Sequence, residues 1–269
     1  MRALRRQHIV DVFVWVDDSL PKQVKPGAKS VLSDSELATI LIWDGLTEPH
    51  QNLAEVYTWI KREYQDCFPR LPAYQNFVAH CHRLLPTLSW LLQSTLSTAA
   101  PLRFVDSTML PVCRLVRAER HKVARGVAQF GKNHQGWHYG FKLHASIDHE
   151  SKFAALYFTP ANESDVLQLK HLVNSATSIV VGDAGYTAKI TQRHIWRDYH
   201  CIVISPPRPR QQWAMARWQH VLLTLRPKIE ATFSNLKGRS HFVTSYPRSV
   251  RGYFVHYIRV LLGWQLANS

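Results

Sequence analysis

Apolar residues in the first hundred positions recur with the period of an α-helix. In the segment NLAEVYTWIKREYQDCF, the residues Leu53, Val56 and Ile60 share one helical face. The residues SDSE at 33–36 stand directly before the apolar run LATILIWDGL and are typical of a helix N-terminus. The segment AYQNFVAHCHRLLPTLSWLLQSTL again has helical spacing, and we expect Pro86 to kink or divide it. The pattern predicts a helical N-terminal domain.

The pattern changes after the small-residue stretch STLSTAAP at 94–101. This stretch is the predicted boundary between a helical domain of residues 1–100 and a second domain of residues 101–269 that ends in a helix. Beyond it, short runs rich in β-branched and aromatic residues predict strands, namely LRFVDST, GFKLHASID, AALYFTPA, SIVVGD and HCIVIS. Helices are expected at about 162–172, 187–199, 210–237 and 250–266. The alternation predicts an α/β domain with a mixed sheet flanked by helices.

Composition narrows the class of partner. The chain has 269 residues, and 46% of them are hydrophobic, which is enough for a packed core. Lys and Arg outnumber Asp and Glu by 33 to 19, so the formal net charge is +14. Such a surplus is typical of proteins that bind a polyanion, most often nucleic acid, and a basic protein without such a partner is the alternative.

Cysteine usage and hydropathy indicate the compartment. The four cysteines form no CxxC pair, which predicts reduced thiols in a cytoplasmic protein. No uncharged apolar stretch approaches the roughly 18 residues of a membrane span, so we expect no membrane association.

Two acids follow apolar strands. Asp106 comes after the predicted strand 102–105, and Asp183 comes after the predicted strand 178–181. Functional groups of open α/β sheets gather at such strand ends, and two carboxylates meeting there need a cation such as Mg²⁺ or Mn²⁺ to offset their repulsion. The alternative for each acid taken alone is a solvated turn or a helix cap.

A third acid lies in a basic helix. On the predicted helix, Arg226, Glu230 and Lys237 fall within one narrow face. From residue 226 to 259 there are seven Lys or Arg and a single acid, so an isolated Glu there would weaken phosphate binding unless it held a metal. The alternative is an ordinary surface ion pair between Arg226 and Glu230, which contributes a few tenths of a kcal/mol.

A second basic stretch lies between the two aspartates. Residues 110–147 contain seven Lys or Arg, among them Arg114, Lys132 and Lys142, and are interrupted by four glycines. Glycines let a backbone approach phosphates, and the basic side chains neutralise them. The alternative interpretation is a solvated hairpin loop.

Five short motifs, in this order, resemble those of the DDE-type bacterial insertion-sequence transposases. They are VDSTMLPVCRLVR, GWHYGFKLHASID, TPANESD, VVGDAGY and RPKIEATFSNLKGR. The resemblance is closest to the insertion sequence nine-eight-two group and is strongest over residues 102–262. Related transposases carry a Tyr-x2-Arg-x3-Glu-x6-Lys signature. Its last three positions are Arg226, Glu230 and Lys237 here, and Leu223 stands at the Tyr position.

The resemblance implies an RNase H-like fold with Asp106, Asp183 and Glu230 as catalytic, metal-binding acids. The implied cofactor is Mg²⁺, with Mn²⁺ as an alternative. The implied reaction is two-metal phosphoryl transfer, in which one cation activates water or a 3′-hydroxyl and the other stabilises the leaving 3′-oxygen. Phosphate contacts are expected from the basic residues of both stretches, namely Arg226, Lys237, Lys142, Arg114, Lys132 and Arg239.

The resemblance also implies the partners. They are the terminal inverted repeats of the element and the target DNA, with the helical N-terminal domain expected to bind the ends. A homodimer on DNA is expected because two ends must be brought together, and the expected location is the bacterial cytoplasm, near the nucleoid. Two alternatives stay open at this point: a catalytically inactive descendant that only binds DNA, and a nuclease that cuts without joining strands.

Overall fold

The computed structural model describes residues 2–21, 30–47, 49–208 and 214–268. These residues divide into two compact units. The helical unit comprises Met1–Thr95 with Ser240–Ala267, and the sheet unit comprises Leu96–Arg239 with the last two residues.

The helices and strands are numbered along the chain. The helices are α1 (Arg2–Ser19), α2 (Asp34–Thr47), α3 (Leu53–Glu63), α4 (Tyr74–Arg83), α5 (Leu85–Thr95), α6 (Asp165–Gln168), α7 (Lys189–Tyr199), α8 (Arg217–Leu225), α9 (Pro227–Arg239) and α10 (Val250–Ala267). The strands are β1 (Leu102–Pro111), β2 (Gln129–Asn133), β3 (Gly136–Ile147), β4 (Phe153–Pro160), β5 (Ile179–Val181) and β6 (Ile202–Ile204). No helix of the described residues is both long enough and apolar enough to span a membrane.

Local signals set the helix ends in the first unit. The Ser33 hydroxyl accepts a bond from the Glu36 N–H at 3.0 Å, and a Glu36 carboxylate oxygen accepts one from the Ser33 N–H at 2.6 Å. This reciprocal pair is a capping box, and α2 begins directly after Ser33. The predicted long helix divides between α4 and α5 at Leu84, two residues before Pro86.

The last helix belongs to the helical unit. α10 packs against α2 and α5, and the α2 and α10 backbones approach so closely that a Cβ added to Gly45 or Gly263 would overlap the other helix. Beside this crossing, Asp44 is fully buried and forms an ion pair with the buried Arg259. The structural units therefore differ from the expected 1–100 and 101–269 division in the placement of the last helix.

The sheet unit has the mixed α/β architecture that the sequence predicts. β1, β3 and β4 are antiparallel neighbours, and β5 and β6 lie parallel to β1 on its other side, so the order is β4-β3-β1-β5-β6, with β2 pairing an extension of β3. This is the RNase H-like arrangement that the resemblance implied. The hairpin of β2 and β3 occupies a region for which the sequence predicted only the later part of β3.

Two predicted helices differ from the observed ones. The predicted helix 210–237 is interrupted at Arg226, because Pro227 has no N–H for the helical ladder and starts a new helix, α9. Leu225, the last residue of α8, is exposed. The predicted helix 162–172 is reduced to the single turn α6 followed by a 3₁₀ turn at Leu169–His171.

Candidate active site

The register of two parallel strands brings Asp106 and Asp183 together. Phe104 is paired with Val181 across β1 and β5, and each aspartate comes two residues later. Because neighbouring strands are about 4.8 Å apart, this register puts the two aspartates side by side at the same level of the sheet. The sequence predicted that Asp106 follows the end of its strand. In the structure Asp106 lies inside β1, and only the neighbouring strand β5 ends just before its aspartate.

A tight turn holds Asp183. Its Oδ1 atom accepts a hydrogen bond from the Gly185 N–H at 2.8 Å, so Asp183 caps the 3₁₀ turn Ala184–Tyr186. The buried Tyr186 ring packs on the backbone beneath it: a Cβ on Gly182 would lie 2.6 Å from the Tyr186 ring carbon Cδ2. The motif VVGDAGY thus fixes the backbone that carries Asp183.

Glu230 reaches the same region from α9, which packs against β1. The Arg226 guanidinium lies between two of the carboxylates: its Nη1 is 2.9 Å from Glu230 Oε1 and its Nη2 is 3.8 Å from Asp106 Oδ2. Arg226 and Asp106 are largely buried, whereas the Glu230 side chain is 50% exposed and free to change rotamer.

The charges around Asp106 act on its protonation. Burial, with smaller contributions from the negative charges of Asp183 and Glu230, raises the pKa of Asp106 from 3.8 to about 6. The Ser107 N–H, which donates to Asp106 Oδ1 at 2.8 Å, and the Arg226 charge lower this pKa. The charges of Asp183 and Glu230 therefore reach the Asp106 carboxyl group.

Lys237, also on α9, is close enough to be influenced by Asp106. Burial lowers the pKa of the Lys237 ammonium, and the Asp106 charge opposes that shift. The structure therefore brings the sequence-predicted Arg226, Glu230 and Lys237 to the same side of the sheet unit as Asp106, as the helical spacing indicated.

The donor set fits a divalent cation of the Mg²⁺ class. All three acids present carboxylate oxygens, which such hard cations prefer, and a positive group already lies between Asp106 and Glu230. Within the described residues, however, no three His, Cys, Asp or Glu side chains are already arranged to hold a metal ion. Binding by all three acids would require the Glu230 side chain to leave Arg226.

The other predicted basic residues differ in position. Arg114, Lys132 and Arg239 are exposed, and the Lys132 ammonium lies 5.7 Å from the centre of the exposed Trp137 ring. Lys142 is 7% exposed, and its ammonium donates to Asp165 Oδ1 at 3.0 Å and to the Glu163 carbonyl at 2.7 Å. This arrangement suits an internal ion pair and leaves Lys142 poorly placed for phosphate.

Two further residues of this region, Asp165 and Tyr186, were not predicted from the sequence to belong to the site. Asp165 accepts the Lys142 bond, and its Oδ1 lies 3.5 Å from Nδ1 of the fully buried His144. The Tyr186 hydroxyl is buried with no hydrogen-bond partner among the described residues. This burial, and to a lesser extent the charges of Asp165, Asp106 and Asp183, raises its pKa. The signal in the sequence was the motif pair TPANESD and VVGDAGY, whose final residues are these two.

The fold and the site together define an RNase H-like protein with an acidic cluster flanked by basic side chains. A family model described as a transposase DDE domain matches residues 96–250, more than half of the chain. The chain therefore belongs to the transposase DDE domain family.

The chain also has a weak match among solved structures. It is a crystal structure of a pre-cleavage Mos1 transpososome, which is 13% identical in a match covering 96% of this chain and 84% of that one. The TM-score is 0.22, a value at which the two folds cannot be equated.

Proposed function

We propose that the chain is a DNA transposase that cleaves DNA at the ends of an insertion sequence and joins those ends to target DNA. The observation that supports this proposal is the contact of the Arg226 guanidinium with Glu230 on α9 and its approach to Asp106 on β1, whose neighbouring strand β5 leads into Asp183. Membership of the DDE family supports the same reaction class. The assignment to the insertion sequence nine-eight-two group stays a prediction.

Asp106, Asp183 and Glu230 would hold the divalent metal, Mg²⁺ or Mn²⁺. When bound, such ions activate the attacking oxygen and offset the charge that develops on the leaving oxygen. The carboxylates bind and orient the ions. The Gly185 N–H holds Asp183 Oδ1, and the Ser107 N–H holds Asp106 Oδ1, so both side chains are positioned before substrate binds.

The basic side chains position the DNA strand. Arg226 offers a planar pair of N–H donors that fits a phosphate, and Lys237 adds a positive charge near Asp106. The exposed Arg114, Lys132 and Arg239 extend the positive charge of the sheet unit for contacts along the phosphate backbone.

The proposed partners are the terminal inverted repeats and the target DNA. We infer DNA binding by this chain from its family and from its net charge of +14. The helical N-terminal region is proposed to bind the element ends, and a dimer on DNA is proposed because two ends must meet.

A cleavage and strand-transfer assay tests this function. DNA carrying the element ends is incubated with Mg²⁺ and the wild-type protein, with Asp183→Asn, or with Asp198→Asn, an exposed acid of α7 that pairs with Arg197. We expect wild type and Asp198→Asn to cut and join. We expect Asp183→Asn to bind DNA normally and to cut slower by a factor on the order of 10³, since a lost ligand weakens a metal contribution of several kcal/mol.

Other outcomes separate the alternatives. Binding without any cleavage by the wild type would favour an inactive DNA-binding descendant. Cleavage with no joining of precut ends would favour a nuclease. Undiminished cutting by Asp183→Asn would refute the role of that residue.

A further inference from the structure

Arg226 has two acidic partners on different elements. Its Nη1 bonds Glu230 on α9 at 2.9 Å, and its Nη2 approaches Asp106 on β1 at 3.8 Å. The guanidinium therefore holds the place from which a divalent cation would contact both carboxylates. An ordinary i,i+4 surface pair would involve Glu230 alone.

The position of Arg226 restricts its movement while leaving donors free. It is the single residue between α8 and α9, directly before Pro227, and its side chain is 22% exposed. Its Nε atom is buried and has no hydrogen-bond partner among the described residues. A guanidinium has five N–H donors, so the donors that Glu230 and Asp106 do not use can take a phosphate oxygen, which then competes with the two carboxylates for Arg226.

A divalent ion and a guanidinium cannot share the space between the same two carboxylates. Both are positive, and they repel strongly at such distances in a partly buried site. Without DNA, the ion must therefore displace Arg226 from its acidic partners. With DNA, a phosphate offers Arg226 a bidentate partner of equal charge, and the carboxylates become free.

We propose that Arg226 is a positioning residue that occupies the metal position until DNA phosphate withdraws it, so that DNA and divalent metal bind cooperatively. This rests on the proposed function, because it takes DNA as the substrate and the three acids as ligands. Coupling between two binding events is reciprocal: DNA tightens metal binding by the same factor by which metal tightens DNA binding.

Mn²⁺ binding, followed by the electron paramagnetic resonance signal of free Mn²⁺, tests the coupling. It is measured for the full chain with and without saturating duplex DNA. An Asp106→Asn/Glu230→Gln double variant is measured in parallel. It gives the background, namely the Mn²⁺ that binds to the DNA and to the rest of the protein surface. We expect DNA to tighten the carboxylate-dependent binding in the wild type by about 5–150-fold, the usual range of coupling between sites.

Three variants isolate Arg226. Arg226→Gln should bind Mn²⁺ about tenfold tighter than wild type without DNA and should gain little further when DNA is added, by the same linkage. Arg226→Lys keeps the charge but cannot bridge two carboxylates, so its Mn²⁺ affinity without DNA should lie between those of the wild type and Arg226→Gln. Arg197→Gln removes an exposed charge of α7 that forms its ion pair with Asp198, so it should keep the coupling of the wild type.

The outcomes separate this inference from the proposed function. Carboxylate-dependent Mn²⁺ binding that DNA does not tighten would overturn the inference alone, as would equal effects of Arg226→Gln and Arg197→Gln. Mn²⁺ binding that the double variant leaves unchanged would contradict the metal site itself. Far-ultraviolet circular dichroism and melting curves confirm that each variant is folded.

Discussion

Asp106 and Asp183 lie level with one another, each two residues beyond the paired Phe104 and Val181 of neighbouring parallel strands. The sheet thus presents two carboxylates side by side before any ligand is considered. Glu230 joins them from a helix that packs on β1. The burial of Asp106, to which the charges of Asp183 and Glu230 add, has consequences for stability as well as for chemistry.

Stability should fall as Asp106 ionises. Its pKa is raised from 3.8 to about 6 in the folded chain, so between these values the folded state holds a proton that the unfolded state has lost. The free energy of unfolding therefore decreases as pH rises from about 4 to 6, by up to about 3 kcal/mol for a shift of this size. Asp106→Asn should lack this decrease and should be the more stable protein at pH 7. Urea unfolding in EDTA measures the free energy of unfolding of both proteins across this pH range. The same pH dependence in wild type and Asp106→Asn would contradict a raised pKa of Asp106.

The turn that carries Asp183 should not tolerate a larger residue at Gly182. In Gly182→Ala the new Cβ would lie 2.6 Å from Tyr186 Cδ2, so the ring must shift, at a cost of about 1–3 kcal/mol. Tyr186→Phe keeps the ring and removes a hydroxyl that has no partner among the described residues, so we expect it to melt at or above the wild-type temperature. Thermal unfolding of both variants gives the comparison, and equal melting of Gly182→Ala and wild type would exclude the clash.

Much of this site was predictable because its signals are local. The apolar strands before Asp106 and Asp183 and the i,i+4 spacing of Arg226 and Glu230 can each be seen within a few residues. The ion pair between Lys142 and Asp165 could not be predicted in this way, since it depends on how β3 and the turn after β4 meet. The sequence predicted a phosphate contact for Lys142, because composition alone does not show which side chains a sheet buries.

The two lysines of this region should therefore behave differently. Lys132→Ala should weaken DNA binding and reduce the slope of log K against log salt by about 1, as expected when one phosphate contact is lost. Lys142→Ala should leave that slope unchanged and lower the melting temperature, because Asp165 loses the ammonium 3.0 Å from its Oδ1. Fluorescence anisotropy across a salt series distinguishes them. A reduced slope for Lys142→Ala would restore it as a phosphate contact.

The helical unit contains contacts between distant parts of the chain that the sequence did not predict. Asp44 is fully buried against Arg259, which lies far along the chain, and its Oδ1 is 2.6 Å from His50 Nδ1. Only the packing of α10 on α2 creates that pair. For the same reason the sequence did not indicate that the last helix packs with the first ones.

Removing one member of the buried pair should be costly. Arg259→Met leaves the Asp44 charge buried without its main partner, and we expect a loss of about 3–5 kcal/mol of unfolding free energy. The double variant Asp44→Leu/Arg259→Met should recover most of that loss, because no unpaired charge is left. Chemical denaturation of the three proteins forms the cycle, and additive losses would show that the pair is not coupled.

Anomalous diffraction from crystals soaked in Mn²⁺ tests most directly whether the three acids form one metal centre. We predict a manganese peak in contact with carboxylate oxygens of Asp106, Asp183 and Glu230, with the Arg226 guanidinium turned away from it. Manganese bound only elsewhere, or a peak that Glu230 or Asp183 does not reach, would contradict the account.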